Sequence, residues 1–489
     1  MREKIKQLTK DTALYGISTM VGRFLNFLLV PFYTNIFPPA DYGVVTNLYA
    51  LIALLNIIFL YGLDSAYLKF AASDDFEDKK KVFSSSFLTV LFTSLLFTGL
   101  LLASGNFINK IFAVPERYEN LLTVTGFVLL FDALSALPFI YLRVARRAAK
   151  FSAIKITNIA LTILLNIVLI LILKKGIEAV FISNLIASIA TFLILLPDII
   201  SQLKIQIDKA VLKRLMKFGI PYLPGGIAAM FMQVIDRPIV QHLTDLTTLG
   251  IYQANYKLGI FMMLFVSMFQ YAWQPFSLQH AKDNEVKELF SKVFTLFTVT
   301  GTLILLFLSL FITDIAKFSI HGKSLIGEAY WSGLPIVPII LLAYLFNGFY
   351  FNFSAAIYIK EKSSSVPLLM GAGAITNVAA NYLFIPILNI TGAALATLLS
   401  YAVMAFGFYF VSQKSFPVKY EWRKIGKTFF LLIVIAVLFY SIQFFGVIEL
   451  FYKIILLMLF IGGLFGLNII PPKEILIMKN ILLRKKNDG

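Results

Sequence analysis

The chain has 489 residues, 59% of them hydrophobic and 14% charged, with a mean hydropathy of +0.83. A soluble protein of this length carries about a quarter charged residues, so a water-soluble globule is excluded, and the absence of cysteine removes disulfides, thiolate chemistry and Cys-based metal sites. The three histidines (His242, His280, His321) are too scattered for a ligand cluster, and the net charge of +17 must be sorted by membrane side before nucleic acid is considered.

Apolar stretches such as 161–173 are too continuous for the alternating strands of an outer-membrane barrel. The expected fold class is therefore all-α integral membrane. A membrane helix takes about 20 residues, and the pattern predicts fourteen spans, over 12–36, 43–67, 82–104, 120–142, 151–173, 177–197, 218–241, 249–274, 290–314, 334–358, 365–386, 391–411, 428–446 and 452–470. The basic start MREKIKQLTK resembles the beginning of a signal peptide. The segment after it holds Arg23 and has no small-residue cleavage site, so it is kept as the first span.

An even number of spans puts both termini on one side. Of the 43 Lys and Arg, 32 then fall on that side, 7 opposite, and 4 (Arg23, Lys155, Arg237, Lys257) within spans. This asymmetry predicts cytoplasmic termini, makes membrane lipid the partner of the basic surface, and argues against nucleic acid.

The chain also repeats. A shift of 207 places Pro31 on Pro238, Gly43 on Gly250, Tyr49 on Tyr256 and Leu51 on Leu258, and Ile156-Thr157-Asn158 recurs as Ile375-Thr376-Asn377. An even number of helices per copy keeps the copies parallel. The expected organisation is an N-lobe (1–200, spans 1–6), an amphipathic cytoplasmic linker (201–217), a C-lobe (218–413, spans 7–12), two appended spans (414–470) and a basic cytoplasmic tail (471–489).

Charges inside spans are functional candidates, because each costs about 2.5 to 3.5 kcal/mol on insertion scales. Arg23 is midway along span 1, Arg237 lies in the outer half of span 7, and Lys257 about a third of the way into span 8. Asp236 adjoins Arg237, but neighbours on a helix point about 100° apart, so one can face a cavity while the other pairs elsewhere. Among the acids, Asp132 near the middle of span 4 is the better candidate for binding a proton or sodium ion and coupling its gradient to lobe movement, ahead of Asp64 at the cytoplasmic end of span 2. Arg143, Arg146, Arg147 and Lys155 border the cytoplasmic end of spans 4 and 5, where the positive-inside role accounts for them and substrate capture is a second use. No residue set supports a resident cofactor or metal, and Gly371-Ala372-Gly373 follows no strand, which rejects a dinucleotide fingerprint.

These residues carry a family resemblance. GRFLNFLLVPFYTNIFPPADYGVV (Gly22 to Val45) is similar to the N-terminal signature of bacterial polysaccharide transporters, the Wzx-like O-antigen flippases of the multidrug/oligosaccharidyl-lipid/polysaccharide exporter superfamily. The second lobe agrees through Asp236-Arg237, Leu249-Gly250-Ile251-Tyr252, Tyr256-Lys257-Leu258 and Trp273-Gln274-Pro275-Phe276, and the pattern extends over about residues 10–412. The resemblance implies a MATE-like fold with spans 1, 7 and 8 around an inner cavity, where Arg23, Arg237 and Lys257 would bind diphosphate. It implies export of an undecaprenyl-diphosphate-linked oligosaccharide, with a polysaccharide polymerase and its chain-length machinery as further partners to be weighed. Two alternatives stay open: a cation-coupled drug exporter, usually with twelve spans and an acidic cavity, and a membrane glycan polymerase or glycosyltransferase, usually with a large outer loop carrying catalytic carboxylates.

Overall fold

A computed structural model describes residues 22, 24–25, 27–73, 75–112, 114–279, 286–360, 365–444, 446 and 450–469. Arg23, much of the first expected span and the tail 471–489 lie outside the described residues.

The described part of residues 22–34 is helical (α1). Helix α2 (Pro39–Leu60) starts on a Pro-Pro pair, whose fixed φ suits a first turn that needs no N–H donor, and stops at Tyr61 (φ 34°) and Gly62 (φ 81°). That left-handed pair divides the second expected span, and α3 (Leu63–Ala72) resumes beyond it. The N-lobe continues with α4 (Lys79–Ala103), the short α5 (Gly105–Ile111), α6 (Leu121–Val144), α7 (Ala148–Ile167) extended by a π turn over Val168–Ile172, and α8 (Glu178–Gln202). Its centre is α6, which packs on α2, α3, α4, α7 and α8.

Helix α9 (Lys209–Gly219) follows, capped by Asp208, whose carboxylate accepts the N–H groups of Ala210 and Val211 at 2.9 and 3.2 Å. The C-lobe comprises α10 (Leu223–Val234), α11 (Asp236–Leu243), α12 (Leu246–Tyr256), α13 (Ile260–Gln279), α14 (Val286–Lys317), α15 (Val337–Ile359), α16 (Ser365–Leu388) and α17 (Ile390–Ser415), with α17 wedged between α15 and α16. Helices α18 (Trp422–Phe444) and α19 (Leu450–Gly466) lean on α14 through Val299, Leu306, Ile435 and Phe460, and buried Lys453 of α19 pairs with Asp314 of α14.

Eleven helices among the described residues are long and apolar enough to cross a bilayer. The other three expected spans fall short for separate reasons: the first lies partly outside the described residues, the eighth is broken beside Lys257, and α19 has 17 residues. Leu368, Ile375 and Ile387 are exposed on α16, an apolar outer surface suited to lipid. The chain is a multi-pass membrane protein.

The lobes meet along α2 and α12. A Cβ on Gly43 would sit 2.0 Å from the Leu246 carbonyl oxygen, and one on Gly250 would sit 1.9 Å from that of Pro39. Leu246 and Gly250 are the residues 207 positions after Pro39 and Gly43, so the internal repeat reappears as a symmetric contact between equivalent backbones. Only glycine permits such an approach at these two places.

Near this crossing Ser319–Ile320 (β1) and Lys323–Ser324 (β2) form a small hairpin, and we call this end of the molecule the hairpin side. The opposite, basic side holds α9. Buried Val211 and Leu215 turn the apolar face of α9 onto α3 and α4, so in this structure the linker's apolar stripe meets protein. Lys204 and Asp208 donate their backbone N–H groups to Ser84 and Ser85 at 2.7 and 3.0 Å, and Phe218 packs edge-on against Phe70 at 5.8 Å. Lys204 also donates to Asp78 at 2.6 Å and holds that carboxyl below its ordinary range. A Cβ on Gly62 would lie 2.1 Å from the Gly219 carbonyl oxygen, which seats the end of α9 directly on the N-lobe.

Candidate functional site

Two helix breaks shape the interior. Pro238 has no N–H to donate to the carbonyl of Val234, and the seventh span divides there into α10 and α11. The eighth divides at a 3₁₀ turn over Lys257–Gly259, between α12 and α13. Sequence periodicity had both spans continuous. Arg237 follows the first break and Lys257 lies in the second, an arrangement in which interrupted helices present charge to a cavity at membrane depth.

That cavity has a volume of about 730 Å³ and is walled mainly by the C-lobe, with Phe27 and Ala53 closing it from α1 and α2. Arg237 and Lys257 line it together, and among the described residues no carboxylate does. The Arg237 Nε is buried without a partner among the described residues, and the Lys257 ammonium stands 5.3 Å from the Tyr42 ring centre. Neutral polar residues, including Gln233, Gln253, Gln270 and Asn347, border the same space, as do Tyr256, Tyr344, Tyr350 and Tyr401.

Asp236 turns away from the cavity, as its position next to Arg237 requires. It is buried, accepts a hydrogen bond from the Tyr252 hydroxyl at 2.7 Å, and leaves Oδ1 without a partner among the described residues. Helices α16 and α17, which pack on α11, bring buried Asn377, Asn381 and Thr397 to this region. In the N-lobe, half-buried Asp132 accepts from Ser188 Oγ at 2.7 Å, while Lys155 acts on it electrostatically from α7 and stands 4.3 Å from the Phe139 ring centre. Asp64 lies half-buried in the first turn of α3, where free N–H groups favour a carboxylate. Neither Asp132 nor Asp64 joins the cavity walls.

On the basic side the four capture candidates separate. Arg143 and Arg146 are exposed. Arg147 and Lys150 both hold buried Asp198, at 3.2 and 2.6 Å. Replacing both cations by Ala should leave that carboxylate buried and unpaired, costing about 2 kcal/mol, less than a fully buried pair because both partners are half-exposed. The check is the melting temperature and membrane abundance of the double variant; abundance should recover when Asp198→Asn is added.

The hairpin side is shut by bonds between the lobes. Asn35 Nδ2 donates to the Ser324 carbonyl at 2.7 Å, the Gly327 N–H to Thr34 Oγ1 at 3.1 Å, and the Tyr330 hydroxyl to the Phe37 carbonyl at 2.8 Å. Asn47 adds a 3.3 Å bond to Gln241 Oε1. A strap from the C-lobe, made of the hairpin and the 3₁₀ segment Glu328–Ile336, thus lies over the α1–α2 corner.

Of the aromatic residues on these helices, Tyr256 lines the cavity, Tyr252 is spent on Asp236, Trp273 is buried against Phe269 and Phe290, and Tyr222 is exposed. Sequence reading missed Gln253, although it stands four positions before Lys257 and so shares its helix face. It also missed that Met230, Met232, Met263, Met370 and Met404 line one space, a grouping of distant residues that no local pattern marks.

The family described as polysaccharide biosynthesis protein matches residues 34–311. No curated protein sequence matches the chain. Its fold is similar to that of the lipid II flippase MurJ in an inward closed conformation, with 16% identity, a TM-score of 0.73, and coverage of 97% of this chain and 99% of that one. It is also similar to an inward-facing multidrug resistance MATE family transporter of the MOP superfamily, at 12% identity and a TM-score of 0.68 over 80% of this chain and 94% of that one. The Vibrio cholerae MATE transporter VcmN gives 14% identity and a TM-score of 0.58 over 84% and 96%. At these identities the likeness establishes the fold.

Proposed function

Because the chain belongs to the polysaccharide biosynthesis protein family, we propose that it is a flippase that carries an undecaprenyl-diphosphate-linked oligosaccharide across the bacterial cytoplasmic membrane by alternating access, without acting as an enzyme. The observation that carries this reading is the cavity charge: among the described residues, two cations at helix breaks and no carboxylate. Arg237 supplies a planar fork for phosphate oxygens and Lys257 a point charge. Burial makes each interaction stronger than it is at a surface.

In this reading the basic side faces the cytoplasm, and the Phe27 edge of the cavity is where the lipid tail leaves toward the bilayer. Asp236 is the preferred carboxylate for coupling to a proton or sodium gradient, since it lies at a helix break beside the cavity; Asp132 and Asp64 are farther candidates. Arg143 and Arg146 remain free for capture at the basic side. A polymerase and its chain-length machinery would take the product on the other side of the membrane. A drug exporter shares this fold, but a cationic wall repels cationic drugs.

Cells lacking the protein should accumulate lipid-linked oligosaccharide facing the cytoplasm and lose the surface polymer. Unchanged polymer in cells with no substitute transporter, together with increased drug retention, would move the assignment to efflux.

A further inference from the structure

The hairpin side carries a second cavity, of about 270 Å³, whose two walls belong to different lobes. Phe318, Ile320, Lys323 and Leu325 form one wall. Side chains of directly paired strand residues share a face. Ile320 pairs with Lys323, and the Leu325 N–H donates to the Phe318 carbonyl at 3.0 Å, so this wall is one face of the hairpin. Phe32 of α1 and Ile36 just past it form the other wall. Phe318 and Ile320 are nevertheless 64% and 62% exposed. Large apolar side chains held open beside a pocket mark an interaction surface.

The bilayer leads to this pocket. Phe24, Leu28 and Phe32 stand four apart on α1, and Phe24 and Leu28 are exposed. The stripe runs about 12 Å along the helix, most of the hydrocarbon depth of one leaflet, which is about 15 Å. A volume near 270 Å³ admits the upper part of an acyl chain and no folded partner. Trp331 marks the depth: its indole N–H donates to the Ile326 carbonyl at 2.8 Å, and its ring centre lies 4.6 Å from the Lys317 ammonium. Tryptophan belongs to the headgroup level of a membrane. Lys323 is exposed on the pocket wall, and no carboxylate among the described residues lines the pocket, so the charge suits a lipid phosphate. Asn35 and Ser324, whose bond joins the lobes, are part of the same lining. A chain packed over that bond keeps water from it, and a hydrogen bond is stronger in the lower dielectric.

We propose that this pocket seats an anionic phospholipid of the hairpin-side leaflet, with its phosphate at Lys323 and one acyl chain along Phe32, Leu28 and Phe24, and that the lipid bridges the lobes while that side is shut. The test uses the purified full chain in phosphatidylcholine nanodiscs with a trace of phosphatidylglycerol carrying a photoactivated diazirine on one acyl chain. Crosslinked peptides are identified by mass spectrometry. Label should concentrate on both 24–36 and 318–325. Lys323→Gln should lower it about fivefold, the worth of one lysine beside an anionic lipid, whereas Lys323→Arg should keep it. Both variants should melt like the native protein, because Lys323 is exposed. Phe318→Ser combined with Ile320→Ser should lower labelling by this probe and by a phosphatidylcholine probe with the same chain alike. Label spread evenly over the lipid-facing helices overturns the proposal, and so does equal labelling of the native protein by the two probes. Displacement of the label by unlabelled farnesyl diphosphate assigns the pocket to prenyl tails and overturns it as well. None of these outcomes bears on the flippase reading, which rests on the other cavity.

Discussion

Tying Asn35 to Ser324 is expected to stop transport altogether. The two lie on opposite lobes at the hairpin side, joined by the 2.7 Å bond from the Asn35 amide to the Ser324 carbonyl. A cavity that alternates its access must break this contact, and with it the Gly327, Tyr330 and Asn47 bonds, once per cycle. Each neutral hydrogen bond contributes about 1 kcal/mol net, so thermal motion can release the set, whereas a covalent bridge cannot be released. The chain contains no cysteine. Asn35→Cys with Ser324→Cys can therefore be bridged by a reducible bis-methanethiosulfonate reagent with no competing thiol. Transport should fall to background after bridging and return on reduction, while either single variant treated alike stays active. Full transport by fully bridged protein would show that the lobes do not part here.

Arg237→Ala and Lys257→Ala should each lower transport by about 10- to 100-fold, the worth of a hydrogen bond to a charged group, and together should abolish it. Membrane abundance should stay near normal. Lys257 rests on the Tyr42 ring, and Arg237→Ala is made together with Asp236→Asn because Arg237 acts electrostatically on that buried carboxylate, so neither replacement strands a buried partner charge. That separates these two cations from the Arg147 and Lys150 pair, whose loss should register in stability. Arg237→Lys should recover only part of the activity, because a point charge cannot reproduce the two-pronged contact. Arg23→Ala belongs to the same series on sequence grounds. The measurements are surface polymer per cell and immunoblotted protein per membrane; normal polymer in the double variant would place the diphosphate elsewhere.

Membrane helices are legible because hydrocarbon imposes a continuous apolar length on each one. The 207-residue shift was legible too, and the structure turns it into the paired Gly43 and Gly250 contacts. The breaks at Pro238 and Lys257 were not read, because hydropathy averages over a window wider than one lost hydrogen bond, although Pro238 itself marks one of them. Adjacency showed that Asp236 and Arg237 must face apart; which of them faces the cavity depended on helix rotation, and that is fixed by packing against α16 and α17. The pairing of Arg147 was not legible behind its positive-inside role, because its partner Asp198 lies 51 positions away.

The seating of α9 on the N-lobe moves the mechanical boundary away from the one read in composition. Although 201–217 joins the lobes in sequence, the Gly62 and Gly219 backbones are in contact and Phe218 is held by Phe70, so this segment travels with the N-lobe. What remains to flex is the short 3₁₀ turn Ile220–Tyr222. It works as a fulcrum, and α10 above it as a lever about 18 Å long. A tilt of about 10° at the fulcrum then sweeps the far end of α10 through about 3 Å. That is ample to part glycine backbones in van der Waals contact, so the stroke that opens the hairpin side can be generated by three residues at the other face of the membrane.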